Sequence, residues 1–153
     1  MAFHIRFANG LDMPYLLDID LKSFDEEFGP EMWEMLGDIG TIRVAASANE
    51  PVGFAIYQHD AESLFINRLA VKKDRRRQGV GSSLINDCMT FAKDNKIPLI
   101  ETRVPECWCC PGQPQDATMF LKAVGFKAGK LTKREYEHLG EAICCIPFTR
   151  WVR

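Results

Sequence analysis

Between Ile66 and Asn95 the chain changes its hydrophobic period once, across a basic turn punctuated by glycine. Ile66-Asn67-Arg68-Leu69-Ala70-Val71 alternates, which predicts a strand. Val80, Leu84, Ile85, Cys88, Met89 and Ala92 recur at helical spacing and predict one face of an amphipathic helix. Arg75, Arg76, Arg77, Gln78, Gly79, Val80, Gly81 and Ser82 lie at the junction. In that order a strand, a basic Gly-x-Gly turn and a helix make a site for an anion such as a phosphate. Gly79 and Gly81 let a ligand approach the backbone without a Cβ in the way. The unpaired N–H groups of the helix's first turn and its dipole favour negative charge, and the arginines add paired donors. The same turn also serves where a helix merely packs closely on a sheet. There is no P-loop, and Leu84 stands near where the dinucleotide fingerprint needs its third glycine.

Arg76-Arg77-Gln78-Gly79-Val80-Gly81, preceded by Arg68-Leu69-Ala70-Val71, resembles the pyrophosphate loop of the GNAT superfamily of N-acetyltransferases, Gln/Arg-x-x-Gly-x-Gly/Ala. The resemblance implies acetyl-coenzyme A as co-substrate, with its pyrophosphate on Arg76–Ser82 and its pantetheine arm along Leu69, Ala70 and Val71.

With 153 residues the chain is long enough for one domain with a real core, and its 46% hydrophobic and 26% charged composition is globular. A net charge of −2 argues against a nucleic-acid surface, and no apolar run approaches the roughly 18 residues of a membrane span. The first residues carry no signal-peptide pattern, so a cytoplasmic protein is expected, with its six cysteines as thiols.

In chain order, strands are expected over Phe3–Ala8, Thr41–Ser47, Val52–His59, Ser63–Val71, Ile97–Val104, Phe126–His138 and Glu141–Val152. Helices are expected over Asp12–Phe24 (capped by Asn9 or Asp12), Pro30–Leu36, Val80–Asn95 and Asp116–Ala123, the last closed by Gly125. This order, β-α-α-β-β-β-α-β-α-β-β, is that of the GNAT acyl-CoA N-acyltransferase fold, an α/β architecture around a central mixed, mostly antiparallel sheet. The helix before Gly125-Phe126 is similar to the family's cofactor helix, which brings Asp116 and Phe120 among the implied cofactor contacts. Two positions depart from the pattern. Asp116 stands where asparagine is usual, and Leu121 stands where the family's tyrosine general acid is found.

Acetyl transfer to an amine needs both reactants held together, a polarised thioester carbonyl, a base and a leaving thiolate. Backbone N–H groups of the Leu69–Val71 strand can polarise the carbonyl, if its pairing with Ile97–Val104 opens beside the cofactor. Glu101, between apolar Ile100 and Val104, is the candidate base, because Ile100-Glu101-Thr102 resembles the Leu-Glu-Val of the family's N-terminal acetyltransferases. A solvent-facing glutamate is the plain alternative, and Glu106 is a second carboxylate. Tyr136 is the candidate acid, with water as the substitute.

Asp18, Asp20, Asp25, Glu26, Glu27, Glu31 and Glu34 form either a solvated face or an attraction for a cationic acceptor. Cys107-x-Cys109-Cys110 and Cys144-Cys145 lack zinc-knuckle spacing, so no metal is expected. The implied acceptor is an amine, either a protein N-terminus or lysine or a small cationic molecule, and a homodimer remains open. Two other readings stay beside this one. A non-catalytic acyl-CoA sensor would follow from Leu121, and a partner-binding module would use Trp108 and the cysteine loop.

Overall fold

The computed structural model describes residues 2–24, 33, 37–38, 40–105, 118–130, 132–138 and 141–152. Glu106, the Cys107–Cys110 segment with Trp108, Asp116 and the Leu139-Gly140 turn lie outside them. Of the helix expected over Pro30–Leu36 only Trp33 is described, and it is helical.

Among the described residues eight strands form one mixed sheet: β1 (His4–Phe7), β2 (Thr41–Ser47), β3 (Glu50–His59), β4 (Ser63–Val71), β5 (Leu99–Pro105), β6 (Lys127–Ala128), β7 (Thr132–His138) and β8 (Glu141–Trp151). The order is β1-β2-β3-β4-β5-β8-β6, with β7 also on β8. Among the described residues only β4 and β5 pair in parallel, because the helix between them carries the chain back across the sheet. That helix, α2, spans Val80–Asp94. Before β2 runs α1 (Met13–Ser23), and after β5 comes the short α3 (Thr118–Ala123).

The apolar stripes read from sequence go to opposite faces of the sheet. Val80, Leu84, Ile85, Cys88 and Ala92 of α2 meet Ala55, Tyr57, Leu64, Ile66 and Ile100 on one face. Leu16 and Ile19 of α1 meet Val44, Phe54, Ile56 and Ala70 on the other, where Trp33 sets its edge on Phe54 at 4.9 Å. Each such large side chain stabilises the fold by about 1.5–3 kcal/mol.

Several boundaries differ from expectation for local reasons. Asn9 caps a 3-10 turn, Gly10–Asp12, and Asp12 accepts the Asn9 N–H in return, so α1 starts one residue later. β5 begins at Leu99, since Lys96 takes a left-handed φ of 58° and Ile97 N–H donates to Ala92. The strand expected from Phe126 to His138 is two strands. Its break falls opposite Pro147 of β8, which has no N–H to offer, and Gly129 N–H donates to the Pro147 carbonyl at 2.7 Å. Gly125, at φ 97°, closes α3 as anticipated.

Candidate active site

Four rungs join β4 to β5, from Ser63–Leu99 to Ile66–Thr102, and there the pairing stops. Thr102 Oγ1 seals the last rung by donating to the Ile66 carbonyl at 2.9 Å. Beyond it β5 continues with β8 as far as Pro105, while β4 continues with β3 as far as Val71. The two strands therefore part, and β4 from Asn67 onward has an edge without a strand partner.

Which groups line that edge follows from strand geometry. Lys72 N–H donates to Val52 on β3, so the alternate residues Leu69 and Val71 turn their N–H and C=O groups to the open side. The Val71 carbonyl confirms it by accepting from Arg76 Nε at 3.0 Å. Ala70, expected among the same contacts, does not share this edge. Its methyl packs in the α1 core and its carbonyl turns towards Gly53 of β3.

Val71 leads through a 3-10 turn into the glycine loop. Arg77 and Gly79 have positive φ, 61° and 85°, and a Cβ on Gly79 would meet no atom within 4 Å, so this backbone faces open space. No side chain caps α2, and its first internal bond runs from Ser83 N–H to Gly79. The N–H groups of Val80, Gly81 and Ser82 thus have no acceptor within the helix. Arg77 and Gln78 are exposed, and Gln78 Nε2 donates to the Asp74 carbonyl at 3.3 Å. Arg76 is exposed as well, but it is tethered, donating to the Val71 carbonyl as above and to Ser23 Oγ of α1 at 3.4 Å. Gly81 lies between Val71 and Phe120 of α3; its added Cβ would stand 3.1 Å from two Phe120 ring carbons and 3.7 Å from Val71 Cγ2. Phe120 therefore lies beside the start of α2 and the end of β4. The cradle is open, rich in unpaired N–H groups and continuous with the free edge of β4, which suits an extended phosphate-bearing ligand.

Residues 38–128, more than half of the chain, match the family model described as acetyltransferase (GNAT) domain. The chain belongs to the GNAT acetyltransferase family. As a member it is an acetyl-coenzyme A-dependent acetyltransferase. Solved structures share its fold along nearly the whole length. Ard1 from Thermoplasma volcanium superposes with a TM-score of 0.85 at 20% identity, over 100% of this chain and 99% of its own. The ribosomal-protein-S18-alanine N-acetyltransferase from Escherichia coli gives 0.81 at 15% identity, over 99% and 94%. A GNAT family acetyltransferase from Elizabethkingia anophelis, solved with acetyl-CoA bound, gives 0.74 at 21% identity, over 97% of each chain. No curated protein matches the sequence.

Within this GNAT domain Glu101 is partly buried and stands opposite Phe65 on β4 and Thr149 on β8, one rung before the strands part. Ile100 and Val104 enter the core beside α2, so alternation sets Glu101 and Arg103 on the other face, where the Arg103 guanidinium lies 5.4 Å from the Phe65 ring centre. Leu121 is a core residue, 5% exposed, packed with the α2 layer. Tyr136 stands opposite Ile143 of β8, and two strands, β8 and β5, separate β7 from β4. Among the described residues no three His, Cys, Asp or Glu gather as a metal site, and no helix is long and apolar enough to cross a membrane.

Sequence reading missed one pair. Asp20 belongs neither to a solvated face nor to an attraction for the acceptor. It is fully buried and takes Arg68 Nε on Oδ1 at 2.5 Å and Arg68 Nη2 on Oδ2 at 3.3 Å. The Arg68 guanidinium also covers the Phe24 ring at 3.9 Å. The signal was available, since Leu16, Ile19, Asp20 and Ser23 share one helical stripe. Asp18 by contrast is exposed and pairs with Lys22 at 3.0 Å.

Proposed function

We propose that the protein moves the acetyl group of acetyl-coenzyme A directly to a primary amine, with both substrates bound together. The observation that carries this is the parting of β4 and β5 after Ile66–Thr102, next to the uncapped start of α2. Val80, Gly81 and Ser82 N–H groups, with Arg77 and Gln78, would hold the pyrophosphate; Leu69 and Val71 would pair with the pantetheine amides. Bound in this way, acetyl-coenzyme A supplies an activated acyl group as its thioester.

The chain's own part is placement, polarisation and proton removal. An N–H of the β4 edge donates to the thioester oxygen, where charge develops as nitrogen attacks. Glu101 takes one proton from the amine, directly or through a water, as the N–C bond forms and the C–S bond breaks. The thiolate takes its proton from water, or from Tyr136 as the alternative donor. Leu121 supplies none, having no titratable group. The acceptor class we favour is a protein N-terminus; the Ile100-Glu101-Thr102 pattern and the fold shared with an alanine N-acetyltransferase support it.

A calorimetric titration of acetyl-coenzyme A tests the reading with Ser82→Asp as control, since an acid in a helix's first turn is well tolerated there yet repels phosphate. Wild type is expected to bind and Ser82→Asp to lose at least tenfold in affinity. Glu101→Gln should bind normally and transfer 10²-fold or more slowly. Equal binding by wild type and Ser82→Asp, or none by either, overturns the site.

A further inference from the structure

The residue at which β4 leaves β5 is also a bulge. Ile66 pairs with Tyr57 and Arg68 with Ile56, so Asn67 is the extra residue on β4, opposite none on β3. Its Oδ1 is fully enclosed and meets no hydrogen-bond donor among the described residues. A buried amide oxygen without a donor is rare and destabilising, and folds retain one where it has work with a ligand.

Position narrows what that ligand group is. Along the open edge, Val71 lies beside the phosphate-binding loop, Leu69 comes next, and Asn67 is at the closed end, directly after the last rung. Glu101 belongs to the rung just before it, opposite Phe65. A cofactor anchored by its phosphates at Val80–Ser82 and extended along this edge brings its thioester to the closed end. The acetyl methyl, carbonyl oxygen and sulfur that arrive there have no N–H or O–H to give. The attacking amine does, because after one proton goes to Glu101 its remaining N–H bonds still need acceptors.

We infer that Asn67 Oδ1 accepts a hydrogen bond from the acceptor amine and so orients its lone pair towards the acetyl carbon. The inference rests on the proposed function. As nitrogen attacks it gains positive charge and its N–H groups become stronger donors, so this contact tightens in the transition state and acts on kcat more than on binding. The bulge makes the geometry available by freeing Asn67 from the β3 ladder.

The test uses the whole chain, with Asn67→Leu to remove the acceptor at similar volume and Asn67→Asp to keep an oxygen in place. Coenzyme A release is followed with four acceptors: a hexapeptide with a free N-terminus, Nα-acetyl-lysine, spermidine and kanamycin. Expected for Asn67→Leu are an acetyl-coenzyme A Kd within twofold of wild type, a Tm equal or higher, and a kcat at least tenfold lower. Asn67→Asp should recover at least a third of the wild-type kcat. A purely structural asparagine would give the reverse, with Tm and cofactor affinity falling alongside the rate, and that result overturns the inference. So does a kcat within twofold of wild type in Asn67→Leu, which leaves the acetyltransfer reading standing. A weakened Kd at unchanged kcat assigns Oδ1 to the pantetheine amide and likewise overturns it. Wild type that binds acetyl-coenzyme A yet acetylates none of the four amines refutes the amine reading, and the role of Asn67 with it.

Discussion

Gly81 and Phe120 lie so close that an added side chain would press on the ring: a Cβ at Gly81 would lie 3.1 Å from both Cε1 and Cζ. Gly81 is in the first turn of α2, where the proposed phosphate site also needs an open backbone, so in that proposal a single glycine meets two demands. Gly81→Val is therefore expected to lose about 1–3 kcal/mol through overpacking, and at least tenfold in affinity for acetyl-coenzyme A. Adding Phe120→Ala should return part of the stability, because the clash is relieved, without returning affinity. Denaturant melts of the single and double variants, alongside titrations, separate the two losses. Equal recovery of both would mean that Phe120 matters only as a neighbour of Gly81.

The Arg68–Asp20 pair joins β4 to α1, with side-chain exposures of 4% and 0%. Removing one partner leaves the other charged in a dry place. Arg68→Met should cost about 3–5 kcal/mol, and replacing both residues with apolar ones of similar volume should cost far less. Chemical unfolding of Arg68→Met, Asp20→Leu and the double variant measures it. Additive losses would show that the two side chains do not act as a unit.

This pair also marks the limit of what was legible in the sequence. The loop from Arg76 to Ser82 could be read because its chemistry is local: glycine φ angles, helix-start N–H groups and adjacent charge. The α1 and α2 stripes could be read because 3.6-residue periodicity is local too. The bulge at Asn67 could not. Burial alternates without interruption along β4, yet Leu64 and Ile66 pack against α2 while Ala70 packs against α1. One extra residue turned the strand over without leaving a mark in the pattern. With the flip invisible, the strand pattern gave neither Arg68 nor Asn67 a role of its own. The parting of β4 from β5 is likewise a matter of register, and here only the family resemblance gave warning of it.

Near the other end of α1, Arg6 binds Asp12 through two bonds of 2.7 Å each, and Asp12 also accepts the Asn9 N–H. The Arg6 guanidinium, followed in importance by that backbone bond, holds the Asp12 carboxyl below its ordinary value of 3.8, against the opposing effect of burial. A carboxyl whose folded pKa is depressed contributes stability that is complete above its unfolded pKa and is lost as pH falls through the folded one. Stability should thus decline as pH falls below about 4, and Arg6→Gln should flatten that part of the profile. Urea melts between pH 2.5 and 6 on both proteins check this. Parallel profiles would assign the acid sensitivity to other carboxylates.

Leu121 sits where the family resemblance leads one to expect a tyrosine, and two inferences compete about it. If the position faces the leaving thiolate, Leu121→Tyr should supply the absent acid and raise kcat. The packing argues otherwise. Leu121 is 5% exposed among core residues that include Leu84 and Ile85, and its carbonyl accepts Phe126 N–H at 2.9 Å in the closing turn of α3. A phenol there must find room in a filled core and a partner for its hydroxyl, a loss of about 1–3 kcal/mol. A lower Tm with kcat within twofold of wild type is therefore the expected result, and it would fit a thiolate protonated by water. A rise in kcat of tenfold or more, with a new dependence on alkaline pH from the phenol, would instead mean that this short helix turns its Leu121 face to the sulfur.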